Sequence, residues 1–187
     1  MANVVSNTVN AVYITSAGSG YTSSPTITLT PGAGGGSGAV VSYIGETEKS
    51  GGNATARYMT RRVTLADGFD SGDLRVYLTT NKPSGTSVYV YYKILSASDP
   101  EIFDDKSWQL MTELGNANYV SLNENDYREL TFAPGINGIA NNSVSYTTSG
   151  TAFTTFRTFA IKIVMASSNT GIVPKIRDMR AIALPAG

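Results

Sequence analysis

Hydrophobic residues occupy every second position in two neighbouring stretches near the middle of the chain. The alternating positions are Leu74, Val76, Leu78, Val88, Val90, Tyr92 and Ile94. A period of two is typical of β-strands with one buried face, so Tyr89, Tyr91 and Lys93 are predicted to face outwards. The intervening TTNKPSGTS contains asparagine, proline and glycine, which favour a turn. We therefore predict a three-stranded β-meander over Thr60–Leu95.

Three further runs have strand character. Ala54–Leu65 carries charges on both of its faces, which is typical of an edge strand. Thr158–Ala166 alternates strongly, and a turn sequence separates it from Lys175–Leu184. The apolar positions of this last run fall out of phase on either side of Asp178, which predicts a β-bulge there.

The chain divides by composition into an arm, a linker and a main domain. Residues 1–45 contain short β-prone runs separated by glycine-rich connections, and these runs are Val12–Ile14, Thr26–Leu29 and Ala39–Ile44. They predict a small β-meander or arm that packs on the main domain or on another subunit. Residues 46–53 read as a polar linker, and residues 54–187 as the main domain. The predicted fold is all-β, an antiparallel, jelly-roll-like β-sandwich preceded by the arm.

Composition excludes several classes of function. The net charge is zero and 15% of residues are charged, so neither nucleic acid nor an anionic membrane is an expected partner. The chain has no cysteine and no histidine, which excludes a thiol nucleophile, an imidazole base and a Cys/His zinc site. We expect no catalytic residue, no metal site and no cofactor. The first residues lack a signal-peptide pattern, so assembly in the cytoplasm is expected.

Two groups of carboxylates are candidate chemical sites. Asp67, Asp70 and Asp73 could hold a calcium ion, but their spacing differs from that of an EF-hand and favours turn formation. Asp104 and Asp105 could act as a glycosidase pair, but adjacent aspartates in a polar loop favour a solvated surface. The sequence therefore predicts that this protein is not an enzyme.

Aromatic residues are the remaining candidates for contact with a ligand or partner. Eleven tyrosines and one tryptophan are present, and such rings suit sugar stacking, protein interfaces and packing within a sheet. Trp108 either anchors the loop Ser96–Ser107 or stacks on a ligand. The candidate partner or ligand contacts are Tyr13, Tyr21, Trp108, Tyr119 and Tyr146.

Three stretches resemble parts of virion structural proteins from tailed bacteriophages. AVYITSAGSGYTSSPTITLTPGAGGGSGAVVS is similar to a glycine-rich element that recurs in such proteins. RYMTRRVTLADGFDSGDLRVYLTTNKPSGTSVYVYYKILSASDPEIFDDKSWQLM resembles a segment from marine and cyanobacterial phages with contractile tails. FRTFAIKIVMASSNTGIVPKIRDMRAIAL is similar to the closing strands of their sandwich modules.

The resemblance implies a non-enzymatic building block of a virion. Its expected place is the tail, baseplate or fibre-attachment region, and its expected partners are other virion proteins and copies of itself in a symmetric assembly. One alternative is a carbohydrate-binding module that contacts a host surface glycan through Trp108, Tyr119 and Tyr146. Another is a capsid decoration protein. The long connection APGINGIANNSVSYTTSGTA is a candidate contact surface.

Overall fold

The computed structural model describes residues 2–5, 8–12, 45–115, 118–136, 139–140 and 143–185. The chain forms two compact units, Met1–Gly45 and Glu46–Gly187. In the first unit, β1 (Ala2–Val5) and β2 (Thr8–Val12) form an antiparallel hairpin. Strand β1 was not predicted, and the runs predicted between residues 13 and 44 lie outside the described residues.

The second unit consists of β-strands joined by turns and loops, which confirms the all-β prediction. Its strands are β3 (Arg57–Met59), β4 (Val63–Thr64), β5 (Ser71–Asn81), β6 (Thr86–Leu95), β7 (Gln109–Leu114), β8 (Arg128–Ile136), β9 (Ile139–Ala140), β10 (Tyr146–Thr148), β11 (Thr151–Phe153), β12 (Thr158–Ser167) and β13 (Lys175–Pro185). Within the described ranges, the only helical structure is a 3₁₀ turn at Phe103–Asp105. No helix in these ranges has the length and hydrophobicity to cross a bilayer.

One antiparallel sheet runs in the order β13-β5-β8-β7-β6-β12-β3, with β4 also on β12 and β9 on β8. Strand β7 changes partners along its length. Its residues Gln109 and Leu110 pair with β6, whereas Met111–Leu114 pair with β8. A strand that switches between sheets in this way forms the corner of a sandwich. We call β13, β5 and β8 the β5 half, and β6, β12, β3 and β4 the β6 half.

The main core lies between the two halves. The β5 half contributes Leu74, Val76, Leu78, Leu130 and Phe132, and the β6 half contributes Val88, Val90, Tyr92, Ile94, Phe159, Ile161 and Ile163. The seven positions on β5 and β6 are the ones that the alternation predicts to face inwards, and all twelve side chains are buried. Burial of such side chains stabilises the fold by about 1.5–3 kcal/mol each before entropic costs. The predicted sandwich is therefore confirmed, as one sheet folded over at β7.

The predicted meander over Thr60–Leu95 is wrong. Strand β5 pairs with β13 and β8, and β6 pairs with β12 and β7, so the two consecutive strands lie in opposite halves. Their connection crosses between the sheets, with Gly85 at a φ of 78°. Alternation reports that one face is buried but does not report which strand lies alongside, so it could not separate a hairpin from a crossing.

Two local predictions are confirmed. Strands β3 and β4 pair with β12 at the end of the sheet, as expected for an edge. The register of β13 against β5 shifts between Ile176 and Asp178, which places the predicted bulge at Arg177. The bulge lets Ile176 and Met179 both face the core.

Residues 46–53 are part of the second unit and not a free linker. Their polar groups are hydrogen-bonded to the outward face of the β6 half, and Gly51 is buried there with a φ of 88°. The oxygens of this segment accept hydrogen bonds from the buried Lys93 and Lys162. Composition shows that the segment is polar but does not show these buried partners, so it indicates a solvated linker.

Candidate functional site

The outward face of the β6 half is covered by two segments of chain. Its side chains come from alternate positions of two paired strands, Tyr91, Lys93 and Leu95 on β6 and Ala160, Lys162 and Val164 on β12. The segments 46–56 and 96–108 lie over it, and we call it the covered face. The prediction that Tyr91 and Lys93 face solvent is wrong, because both are buried under these segments.

Trp108 lies at the centre of the covered face. Its side chain is 6% exposed and packs with Tyr91, Phe103, Ala160 and Val164. Its backbone N–H donates a hydrogen bond of 2.8 Å to the carbonyl oxygen of Thr47, which joins the two covering segments. Of the two roles predicted for Trp108, the structure places it in the loop-anchoring one.

Lys162 is fully buried beside Trp108, with 0% of its side chain exposed. Its ammonium group donates to the Glu46 carboxylate (2.9 Å), to the carbonyl oxygen of Gly51 (3.0 Å) and to that of Glu46. It also lies over the rings of Tyr91 and Trp108, 4.5 and 5.3 Å from their centroids. Burial lowers the pKa of Lys162, while the hydrogen bond to Glu46 opposes that shift.

Lys93 is the second buried cation of this face. Its ammonium donates to the carbonyl oxygens of Lys49 (3.0 Å) and Asp104 (3.4 Å), and it lies 5.3 Å from the Trp108 ring centroid. Burial lowers the pKa of Lys93, and the charge of Asp104 opposes the shift. A lysine with a lowered pKa can act as a nucleophile. Here the ammonium group of Lys93 is bonded to carbonyl oxygens, and that of Lys162 to carbonyl oxygens and to the Glu46 carboxylate. Both lysines therefore hold the covering segments in place.

Tyr146 belongs to a second buried network, at the start of the covering segment 96–108. Its hydroxyl donates to Asp99 (2.8 Å) and accepts the backbone N–H of Ser96 (2.8 Å), while its ring stacks on Phe153. Lys106 makes a 2.6 Å ion pair with Asp99. Burial alone would raise the pKa of Asp99, but hydrogen bonds from Lys106, Tyr146 and other donors hold it at about 2.

A polar groove of about 340 Å³ lies beside this network. Its polar lining includes Glu101, Asp105, Gln109, Thr147 and Ser149. Such groups can bind sugar hydroxyls. The Tyr146 ring lines this groove, but it already stacks on Phe153, and the Lys106 ammonium lies 5.2 Å from its centroid. The ring therefore offers no free face for a sugar to stack on.

Tyr119 holds a different loop. Its hydroxyl donates to the carbonyl oxygen of Asp126 (2.7 Å) and contacts the Ser121 hydroxyl, and its side chain is 7% exposed. The guanidinium of Arg128 lies over the ring at 4.8 Å. The predicted aromatic contacts are therefore distributed over three places and not gathered into one surface. Tyr13 and Tyr21 lie outside the described residues.

Four of the five carboxylates considered as chemical sites are paired with cations. Asp67 and Asp70 contact Arg157 at 2.9 and 3.5 Å, and Asp73 contacts Arg75 at 3.1 Å. Asp105 pairs with Lys49. Within the described ranges no group of three or more acidic side chains is arranged to hold a metal ion.

Sequence reasoning missed Lys93, Lys162 and Glu46. Both lysines occupy outward positions of strands, where a charge normally indicates solvent. Pairing places Ala160 opposite Lys93 and Tyr91 opposite Lys162, so each cation has an apolar neighbour across the ladder. That juxtaposition is the signal for a covered face, and it needs the register to be read.

Comparison of the chain with protein-family models, with curated proteins and with solved structures finds no match.

Proposed function

We propose that this chain is a non-enzymatic structural component of a bacteriophage virion. It serves in the tail, baseplate or fibre-attachment region and assembles through residues 1–45 and through surfaces of the sandwich. Its partners are other virion proteins and further copies of itself.

The observation that carries this proposal is that buried lysines hold the covering segments on the sandwich. Lys93 and Lys162 bond from the sheet to oxygens of the covering segments, and Lys106, within the segment 96–108, pairs with Asp99 and bonds to the hydroxyl of Thr148 on β10. Buried networks in which every member is bonded favour one rigid arrangement. A rigid module suits a building block, and the resemblance of the central segment to phage virion proteins points to the same role.

Two features supply assembly surfaces. All 28 charged residues lie in residues 46–187, which leaves the first 45 residues uncharged. Such a segment can bind a neighbour through backbone hydrogen bonds and apolar contacts without desolvating a charge. In the described part of the chain β13 pairs only with β5, so this 11-residue strand presents a second edge for pairing.

Localisation tests the proposal. Mass spectrometry of purified phage particles should detect peptides of this chain, and a cryo-EM reconstruction should place it in the tail, with residues 1–45 against a neighbouring subunit. Absence of the chain from particles would overturn the proposal. Density on the outside of the capsid would move it to the decoration role.

The groove lined by Glu101 and Asp105 favours carbohydrate binding as a second candidate function. A glycan array probed with the full chain should then give signals that fall when Gln109 is changed to Ala. Signals that are unchanged in this variant, or no signal on the array, would remove the candidate.

A further inference from the structure

One end of the sandwich is formed by turns that carry almost no charge. Segment 82–85 joins β5 to β6, and segment 168–174 joins β12 to β13, so both lie at the same end of the strands. Segment 118–123 lies beside them, because the Ser121 N–H donates a 2.8 Å hydrogen bond to the carbonyl oxygen of Lys82. We call the surface of these three segments the uncharged end.

Lys82 is the one charged residue in the three segments. It is 9% exposed, and its ammonium lies 3.8 Å from the Glu113 carboxylate, so little of its charge reaches solvent. Charged residues resume at the border of this surface with Glu124 and Lys175. The loops at the opposite end of the sandwich differ, because their exposed side chains include the carboxylates of Asp67, Asp70, Glu101 and Asp105.

Four apolar side chains are exposed on the uncharged end. Leu122 is 87% exposed, Val173 57%, Val120 46% and Ile172 38%. The exposed residues around them are mainly serine, threonine, asparagine and glycine. Exposed apolar groups with few charges among them are typical of the centre of a protein interface, which is depleted in charged residues. This surface is therefore suited to contact with another protein segment.

The chemistry of the uncharged end restricts that segment. A charged side chain placed against these apolar groups would lose its hydration and gain no opposite charge in exchange, so the segment must itself lack charge. Residues 1–45 are the longest stretch of this chain without a charged residue. They combine serine, threonine and glycine with apolar residues, which on β1 and β2 include Val4, Val5, Val9 and Val12.

We propose that the uncharged end is the acceptor surface for residues 1–45 of a second copy of this chain. This inference rests on the assembly role proposed above, and it adds the place at which the arm of one subunit docks on the next. Arm and acceptor are different surfaces, so the contact is heterologous. Each subunit gives one arm and receives one arm, and repetition of the contact builds a ring or a filament.

Photo-cross-linking of the purified full chain tests the proposal. Benzoylphenylalanine replaces Leu122, and this unlabelled variant is mixed with an equal amount of isotope-labelled wild-type chain before irradiation. Mass spectrometry should then find the peptide that contains position 122 joined to labelled peptides from residues 1–45. The matched control places the same photoreactive residue at Ile102, which is 61% exposed at the opposite end. The control should give no such pairs.

Sedimentation equilibrium of the full chain measures the strength of the contact. Leu122→Asp should weaken self-association about 10-fold or more, because the new carboxylate must lose its hydration in the contact. Ile102→Asp introduces the same charge at an equally apolar exposed position and should leave self-association unchanged. Circular dichroism checks that both variants are folded.

Three results would overturn the proposal. The chain stays monomeric at concentrations up to about 1 mM, where even millimolar contacts are populated. Position 122 cross-links only to residues 1–45 of its own copy, which means docking within one chain. Position 122 cross-links to residues 46–187 of the other copy, which means contact between two sandwiches. These experiments use the chain alone, so their failure leaves its detection in virions unaffected, and absence from virions leaves the cross-links unaffected.

Discussion

The two outward faces of the sandwich are built from the same strand alternation but have opposite environments. On the β6 half, Lys93 and Lys162 are buried beneath two segments of chain. On the β5 half, Arg180 pairs with Glu129 across β13 and β8, with about half of each side chain exposed. We call the second the open face. The comparison shows that an outward charge is a surface charge only where no distant segment covers the strand.

The difference has an energetic consequence. A buried cation needs its partners, because loss of one leaves an uncompensated charge in a medium of low polarity. An exposed ion pair contributes about 0–1 kcal/mol, since water solvates either charge well. Equivalent substitutions on the two faces should therefore have very different costs, and the following predictions measure that contrast in order of expected size.

Trp108→Ala should have the largest effect. Removal of this buried ring leaves a cavity and takes away the surface over which both ammonium groups lie, so the free energy of unfolding should fall by about 4 kcal/mol. Urea denaturation followed by circular dichroism measures it. Tyr77→Ala on the open face is the matched control and should cost about 1 kcal/mol. Similar losses for the two variants would contradict the contrast between the faces.

Glu46→Ala should follow, with a loss of about 3 kcal/mol. The carboxylate accepts hydrogen bonds from Lys162 and from the backbone N–H groups of Asn53 and Ala54, so its removal leaves a buried cation short of a partner and frees the covering segment. Adding Lys162→Met should restore much of the loss, because the unpaired charge is then gone. A double variant no more stable than Glu46→Ala would show that the charge is not the cause.

Acid should remove part of the stability that Asp99 gives to the covering segment 96–108. The folded-state pKa of Asp99 is about 2, below its ordinary value of 3.8. A lowered carboxyl pKa stabilises the fold above the unfolded-state value, and this contribution, roughly 2 kcal/mol, is lost as pH falls from about 5 to about 2. The difference in unfolding free energy between the wild type and Asp99→Asn should therefore shrink across that range. A difference independent of pH would contradict the role assigned to the Asp99 charge.

Glu129→Ala should have the smallest effect, below about 1 kcal/mol. Its partner Arg180 remains solvated and keeps its position over the Tyr77 ring. Added salt should reduce the effect further, because exposed charges are screened. Thermal melts at low and high salt measure it, and a loss as large as that of Glu46→Ala would mean that the open face is covered in solution.

Much of the fold could be predicted from the sequence, and the predictions that were wrong share one cause. Leu74 and Ile161 are inward because alternation reports a buried face, and the bulge beside Asp178 follows from the change of phase. The pairing of β5 and the burial of Lys162 depend on segments distant in sequence, and alternation carries no information about which distant segment lies against a strand. For the site, packing of Trp108 in its loop could be predicted, whereas its contact with two lysines required the register of β6 and β12.

The corner strand β7 has a mechanical consequence. It is joined to β6 by two residue pairs and to β8 by four. A force that pulls the two halves of the sandwich apart therefore meets its weaker resistance on the β6 side. Under load the sandwich would part between β6 and β7, with β7 retained on β8, and rupture would begin where the two strands already diverge.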